Sequence, residues 1–225
     1  MSANSMLAMY KLTDAEWRAG TSDRLAQSKY AAYLDFVLRH VAAPAAGFDF
    51  GCGHGVLMNR LRERGFAMAG CDISDELVDP ADPEMFLGGV EVLAGASRQF
   101  DFVLAVMVLQ LLAPSERTAF YAAARDRVRP GGTLFIVNGN ARTNVARKAA
   151  NLPDPDTYAA VLVDYGFEQC ALGYTKCLPG LVARGAARLL GRTPKLVFDA
   201  HQVARIPEAA RKRRCAALMF AFRKS

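Results

Sequence analysis

The sequence predicts an α/β fold: one mostly parallel sheet with helices on both faces. Three observations carry that reading. Short apolar runs alternate with stretches of helical period, a glycine-rich loop separates the first clear strand from the first clear helix, and the following strand closes on a carboxylate.

The opening strand contains Phe48-Asp49-Phe50 and leads into Gly51-Cys52-Gly53-His54-Gly55. Glycine has no β-carbon, so it turns sharply and lets backbone amides approach a ligand. Gly51, Gly53 and Gly55 together are more than a turn requires. The next helix spans Val56 to Arg64, with Leu57, Met58 and Leu61 on one face and Gly65 as its stop. Its first turn presents unpaired amides toward the loop. About 20 residues beyond the first glycine, Asp72 ends the apolar strand Phe66 to Cys71, where a carboxylate reaches the hydroxyls of a ribose. The site therefore reads as one for a nucleotide-type cofactor. A dinucleotide fingerprint asks for Gly or Ala three residues after the second glycine, whereas Val56 stands there and the third glycine comes one place early.

Farther along, Phe100 to Ala105 reads as a buried strand. The apolar run Phe102 to Leu109 that contains it is far shorter than the roughly 20 residues of a membrane span. Pro114 suits the first turn of a helix carrying Phe120, Ala124 and Val128 on one face, ended by Pro130-Gly131-Gly132. Asp154-Pro155 opens another, with Tyr158, Val161, Leu162 and Tyr165 in helical register and Gly166 closing it. A strand from Phe167 to Thr175 follows, and Cys215 to Arg223 reads as a last, apolar edge strand.

With those residues in view, Asp49-x-Gly51-x-Gly53-x-Gly55 resembles the first motif of the class I S-adenosylmethionine-dependent methyltransferases, and Cys71-Asp72-Ile73-Ser74 resembles that family's ribose-binding acidic loop. Phe100 to Ala105 resembles its fourth strand, and Val128 to Leu134 the turn into its fifth. The matches stand in order and cover Gly47 to Val137. The resemblance implies seven strands with an antiparallel last one, S-adenosylmethionine as cofactor and S-adenosylhomocysteine as product. It implies no metal. It also implies a cofactor set of Gly51, Cys52, Gly53, His54, Gly55, Asp72, Ile73, Ala105 and Val106. Members often carry an acid after the third strand that contacts adenine. Here Val92-Leu93-Ala94-Gly95-Ala96-Ser97 is read at that place, so backbone groups and apolar packing are expected to hold the ring.

On this reading residues 1–46 form a helical arm, 47–175 the cofactor-binding core, 176–214 an insertion acting as lid, and 215–225 the final strand of a single domain. Ligands of open α/β sheets bind beyond the carboxyl ends of the strands. The acceptor walls are therefore expected from the arm (Tyr10, Trp17, Arg24, Lys29, Tyr30, Tyr33), the loop Asn138 to Asn151 and the insertion. His201 is a candidate general base, Tyr10 a second, and Asn138 a candidate hydrogen-bonding group for the acceptor. Each also has a plainer structural reading, and for Asn138 that is capping a turn.

The bulk properties narrow the class. A chain of 225 residues with 52% hydrophobic and 22% charged residues can bury one ample core and is not disordered. Its five cysteines lack a Cys-x-x-Cys pair and read as buried thiols, and Cys52 with His54 supplies too few ligands for a tetrahedral metal site. The amino-terminal stretch has neither a basic start nor a long apolar core, so a cytoplasmic protein without secretion signal is expected.

The net charge is +6, and Arg205, Arg211, Lys212, Arg213 and Arg214 form the densest basic cluster. Without interleaved aromatics it reads as a solvated face rather than a polynucleotide site. The Asn/Asp-Pro-Pro-aromatic signature of base-amine methyltransferases is also missing from Val106 to Gln110. Pro179 to Leu190 has a leucine face and two arginines, as a helix packed on its own domain does, with a membrane-surface role as the alternative. The expected function is methyl transfer to a small metabolite or natural product by in-line displacement. The alternatives are an RNA, tRNA or lipid methyltransferase, or a binding module without turnover.

Overall fold

Twelve elements are described in chain order: α1 (Arg24–Leu38), β1 (Ala46–Phe50), α2 (Val56–Arg62), β2 (Ala67–Asp72), β3 (Met85–Leu87), α3 (Val90–Gly95), β4 (Phe100–Val106), α4 (Pro114–Arg127), β5 (Val128–Gly139), α5 (Pro155–Val163), β6 (Phe167–Cys177) and β7 (Cys215–Lys224). They come from a computed structural model that describes residues 24–139, 155–177, 206, 210–211 and 215–225. The strands form one seven-stranded sheet in the order β3-β2-β1-β4-β5-β7-β6. β1 to β5 pair in parallel, while β7 runs antiparallel to both β5 and β6.

The sheet is apolar on both faces because a parallel strand inside a doubly covered sheet has no solvated side. Alternation along each strand sends residues to opposite cores. Phe48 and Phe50 of β1, Val103 and Ala105 of β4, Leu134 and Ile136 of β5, and Leu218 and Phe220 of β7 join Leu93, Phe120, Tyr158 and Leu162 from α3, α4 and α5. Met68, Phe102, Leu104, Phe135, Val137, Met219 and Ala221 face the other way, onto Tyr33, Phe36 and Val37 of α1 and Leu57, Met58 and Leu61 of α2. Phe102 lies at the centre of that second core, with its ring centroid 5.7 Å from Phe66 and 6.1 Å from Phe135. Gly47 leaves the space for it, since a Cβ there would collide with the Phe102 ring.

Two parts of the sequence reading are corrected by the topology. β7 is not an edge strand: it lies between β5 and β6, and β6 takes the edge. An all-apolar strand such as Ala217 to Phe222 belongs where both faces and both sides are covered, and these residues are buried. The third strand lies earlier than the run Val92 to Ser97, most of which belongs to α3, and it is only three residues long, too short for its alternation to register. Val128 likewise leaves the helix and opens β5. Pro114 does stand in the first turn of α4, and Gly65 and Gly166 take the left-handed turns at φ 85° and 75° that end α2 and follow α5.

The cysteines are a further correction. Cys52, Cys71 and Cys170 are free, but of these only Cys71 is buried while Cys170 is exposed, and Cys215 is disulfide-bonded. The antiparallel register sets Cys215 directly opposite Cys177, a pairing of residues 38 positions apart that spacing alone does not reveal. The segment Pro179 to Leu190 and, of the basic cluster, Arg205 and residues 212–214 lie outside the described residues. Among the described residues no helix is long and apolar enough to cross a membrane.

Phe102→Ala is expected to lower stability by about 3–5 kcal/mol, because the void between Phe66 and Phe135 cannot close against a rigid sheet. Urea unfolding at neutral pH measures it, and a loss below about 1 kcal/mol would show that this core collapses freely.

Candidate functional site

The first crossover concentrates backbone donors at one point. β1 ends at Phe50, and the chain turns through Gly51, Gly53 and Gly55 at φ 73°, 55° and 67°, a region that residues with a Cβ rarely occupy. The Gly51 and Cys52 amides both donate to the Cys71 carbonyl, at 2.8 and 3.0 Å, which pins the loop to the end of β2. The Gly53 amide donates to Asp72 Oδ2 at 2.9 Å, and the Ser74 amide donates to Oδ1 of the same carboxylate at 3.1 Å. A single side chain thus fixes the loop on one side and its own turn on the other.

The glycines do different work. A Cβ at Gly51 would sit 2.6 Å from Val108, so the β4–α4 connection presses directly on the loop. Around a Cβ at Gly53 there is nothing within 4 Å, so the peptide there borders open space. Beside the loop, Ile73 is 73% exposed, and Phe86 and Leu87 of the short β3 are exposed as well. His54 is exposed, Cys52 half-buried, and Gly55 buried. Beyond β4, Ala105 is buried and Val106 half-buried.

Two carboxyls are buried here. Asp49 Oδ1 has no hydrogen-bond partner among the described residues. Burial, and then the charge of Asp72, push the Asp49 carboxyl up to about 7. Burial also raises Asp72, opposed by the amides of Ser74, Gly53 and Ile73 and by His54. The neighbouring thiols are held in their neutral form: burial pushes Cys71 up to about 12, and Cys52 is raised in the same way.

The true third strand leads into Gly88-Gly89-Val90-Glu91, and Glu91 Oε1 accepts the Gly89 amide at 2.6 Å. An acid does follow that strand, then, with its carboxylate folded back on the preceding turn. The Gly88-Gly89 pair was the signal that could have located the strand end. Met107, just after β4, adopts φ 60°, the only left-handed residue other than glycine among the described residues, and its amide donates to the Val137 carbonyl at 2.7 Å.

At the end of β5, Asn138 is 1% exposed and its Nδ2 donates to the Tyr158 hydroxyl at 2.5 Å. The Gly139 amide donates to Gln110 Oε1 at 3.2 Å, tying that strand to the β4–α4 connection. Sequence reasoning named Asn138 as a site candidate but gave Tyr158 only a place on a helix face and Gln110 no role, because their placement beside Asn138 depends on how α5 and that connection pack. His201 and Tyr10 lie outside the described residues, as do Trp17 and residues 140–154.

A family model described as a methyltransferase domain matches residues 22–165. The chain belongs to the methyltransferase-domain family. Its seven-stranded sheet is that of the class I methyltransferases, and solved members of this fold superimpose over most of its length. A SAM-dependent methyltransferase from Archaeoglobus fulgidus gives a TM-score of 0.66 at 15% identity, covering 86% of this chain and 92% of that one. The Burkholderia thailandensis 1,6-didemethyltoxoflavin-N1-methyltransferase, solved with 1,6-didemethyltoxoflavin and S-adenosylhomocysteine, gives 0.61 at 17% identity, covering 100% and 92%. Among curated proteins, the ubiquinone biosynthesis O-methyltransferase of Rhizobium etli is 34% identical over 113 residues, 46% of this chain and 43% of that protein. The chain thus matches less than half the length of that methyltransferase.

The buried Asp49 gives a pH test. Its carboxyl titrates near 7 in the folded protein against about 3.9 when unfolded, so the stability it favours is complete below pH ~4 and is lost as pH rises through ~7. Asp49→Asn, neutral throughout, is expected to gain stability relative to the parent between pH 5 and 8. Urea midpoints that run parallel across that window would contradict the shift.

Proposed function

We propose that this methyltransferase moves the methyl group of S-adenosylmethionine onto a hydroxyl of a small-molecule acceptor, releasing S-adenosylhomocysteine. The observation that carries the cofactor assignment is the Asp72 carboxylate tied to the Gly53 amide below open space. The residues fit such a ligand. Asp72 Oδ2 accepts the Gly53 amide and Oδ1 the Ser74 amide, and a carboxylate with about four acceptor positions still has capacity for a ribose hydroxyl. Gly53 and His54 border the space at the start of α2, Ile73 offers an exposed apolar face to a base, and Ala105 and Val106 end the adjacent strand. Asp49, neutral for much of its population at pH 7, lies beneath the loop with an unspent oxygen.

Bound there, the cofactor supplies a methyl group on a sulfonium, which is electrophilic without further activation. The chain's contribution is orientation. Holding the acceptor atom about 3 Å from that methyl and in line with the departing sulfur supplies several kcal/mol of barrier lowering, or more. The glycine loop is rigid for this purpose, held by Cys71, Asp72 and Val108 on three sides.

The hydroxyl rests on the Rhizobium etli relative, an O-methyltransferase by name. A small acceptor is favoured over a polyanion because described basic side chains are internally engaged. Arg62 pairs with Asp82, Arg98 with Glu84, Arg125 with Asp126 and Arg129 with Asp101, while Arg127 and Arg223 donate to backbone carbonyls. Cations already spent on carboxylates gain less from phosphate contacts.

Two measurements test the reading. Asp72→Ala should weaken S-adenosylhomocysteine binding by tenfold or more in calorimetry while the fold persists by circular dichroism; unchanged affinity would remove Asp72 from the site. Incubation with methyl-labelled S-adenosylmethionine and catechol, aniline or a short RNA should place label on catechol. Label on aniline alone or on RNA alone would replace the hydroxyl reading.

A further inference from the structure

The carboxamide of Asn138 and the hydroxyl of Tyr158 are both buried, at 1% and 3% exposure, and sit 2.5 Å apart. That separation is shorter than an amide donor makes and falls at the short end of the range for a hydroxyl donor. The oxygen and nitrogen of a carboxamide are nearly equal in shape, so the group can turn over and accept the Tyr158 proton through Oδ1. Tyr158 keeps that proton, because burial raises its phenol.

Whichever way it faces, Asn138 spends only one end on Tyr158. With Nδ2 toward the phenol, Oδ1 has no partner among the described residues. Turned over, it is the NH2 group that is left without an acceptor. A buried polar atom left unpaired costs about 1–3 kcal/mol, and a leucine-sized apolar residue would avoid that cost.

Asn138 is also placed where an acceptor must come. It stands at the carboxyl end of β5, and β4 lies between β5 and β1, whose end carries the glycine loop. Two strand spacings are about 10 Å, room for the cofactor's methyl end and a small aromatic acceptor side by side over the end of β4. Gln110, half-buried in the β4–α4 connection, reaches β5 by accepting from the Gly139 amide at 3.2 Å, the long end of the range for such a bond.

We propose that the Asn138 carboxamide, oriented by Tyr158, receives the oxygen of the methyl acceptor and thereby selects oxygen over nitrogen. With Oδ1 held by the phenol, the NH2 group donates to the acceptor oxygen. That oxygen has two lone pairs: one takes the Asn138 hydrogen, and the other forms the new O–CH3 bond as the S–CH3 bond breaks, its electron pair staying on sulfur and the hydroxyl proton passing to water. A neutral amine has a single lone pair, which cannot both accept from Asn138 and attack. This inference rests on the hydroxyl reading of the site.

The test uses the full chain with catechol and its diamine counterpart, 1,2-diaminobenzene, as probes. Asn138→Leu should raise the catechol Kd, measured by calorimetry in the presence of S-adenosylhomocysteine, at least tenfold. It should also narrow the ratio of catechol to diamine transfer by a similar factor, with S-adenosylhomocysteine affinity unchanged within twofold. Tyr158→Phe retains the carboxamide but frees it to turn, so its catechol Kd should rise less than that of the leucine variant. If Asn138→Leu binds catechol like the parent, or loses catechol and S-adenosylhomocysteine in parallel, the pair merely holds α5 on the sheet and the inference is wrong. A parent protein that methylates only the diamine overturns the hydroxyl reading as well, whereas a parent that methylates catechol with no change in the leucine variant overturns this inference alone.

Discussion

The site depends on one constraint: a chain leaving a buried parallel strand must reverse into a helix while its loop amides are tied back to the end of the neighbouring strand. Three left-handed residues make the reversal sterically possible, and one carboxylate makes it rigid. Asp72 belongs to the neighbouring strand, so the loop is held by the sheet as well as by its own sequence. That arrangement explains why both carboxyls nearby are raised by burial. Charge has been enclosed to fix geometry, and the enclosure favours protonation.

Legibility followed range. Features set by neighbours in the chain were readable: the glycine loop, the apolar face Leu57, Met58 and Leu61, the stop at Gly65, the strand closing on Asp72, and Pro114 in a first helical turn. Features set by pairing across the sheet were not. Cys177 and Cys215 fall in register only because β6 and β7 run antiparallel, and β7 looks like an edge until β6 is seen outside it. The short β3 escaped because three residues cannot display a period, which in turn hid Glu91 behind the double glycine.

The same division holds on the acceptor side. Asn138 could be suspected from its place after an apolar strand, yet its meaning lies in a contact 20 residues away, with Tyr158, and in Gln110 reaching across from the preceding connection. Left-handed Met107 follows the close of β4, so the backbone departs from ordinary conformations at the end of the strand over which the acceptor is proposed to lie. Strain of that kind, on the order of 1–3 kcal/mol, persists only where surrounding packing enforces it, here through the bond from its amide to the Val137 carbonyl.

The interior position of β7 has a consequence for biosynthesis. While a ribosome is still making residues 215–224, β1 to β5 can already align, but β6 has no hydrogen-bonding neighbour on either flank and β5 keeps one side bare. Closure of the sheet therefore waits for β7, and until then two strands carry unpaired edges open to pairing with another unfinished copy.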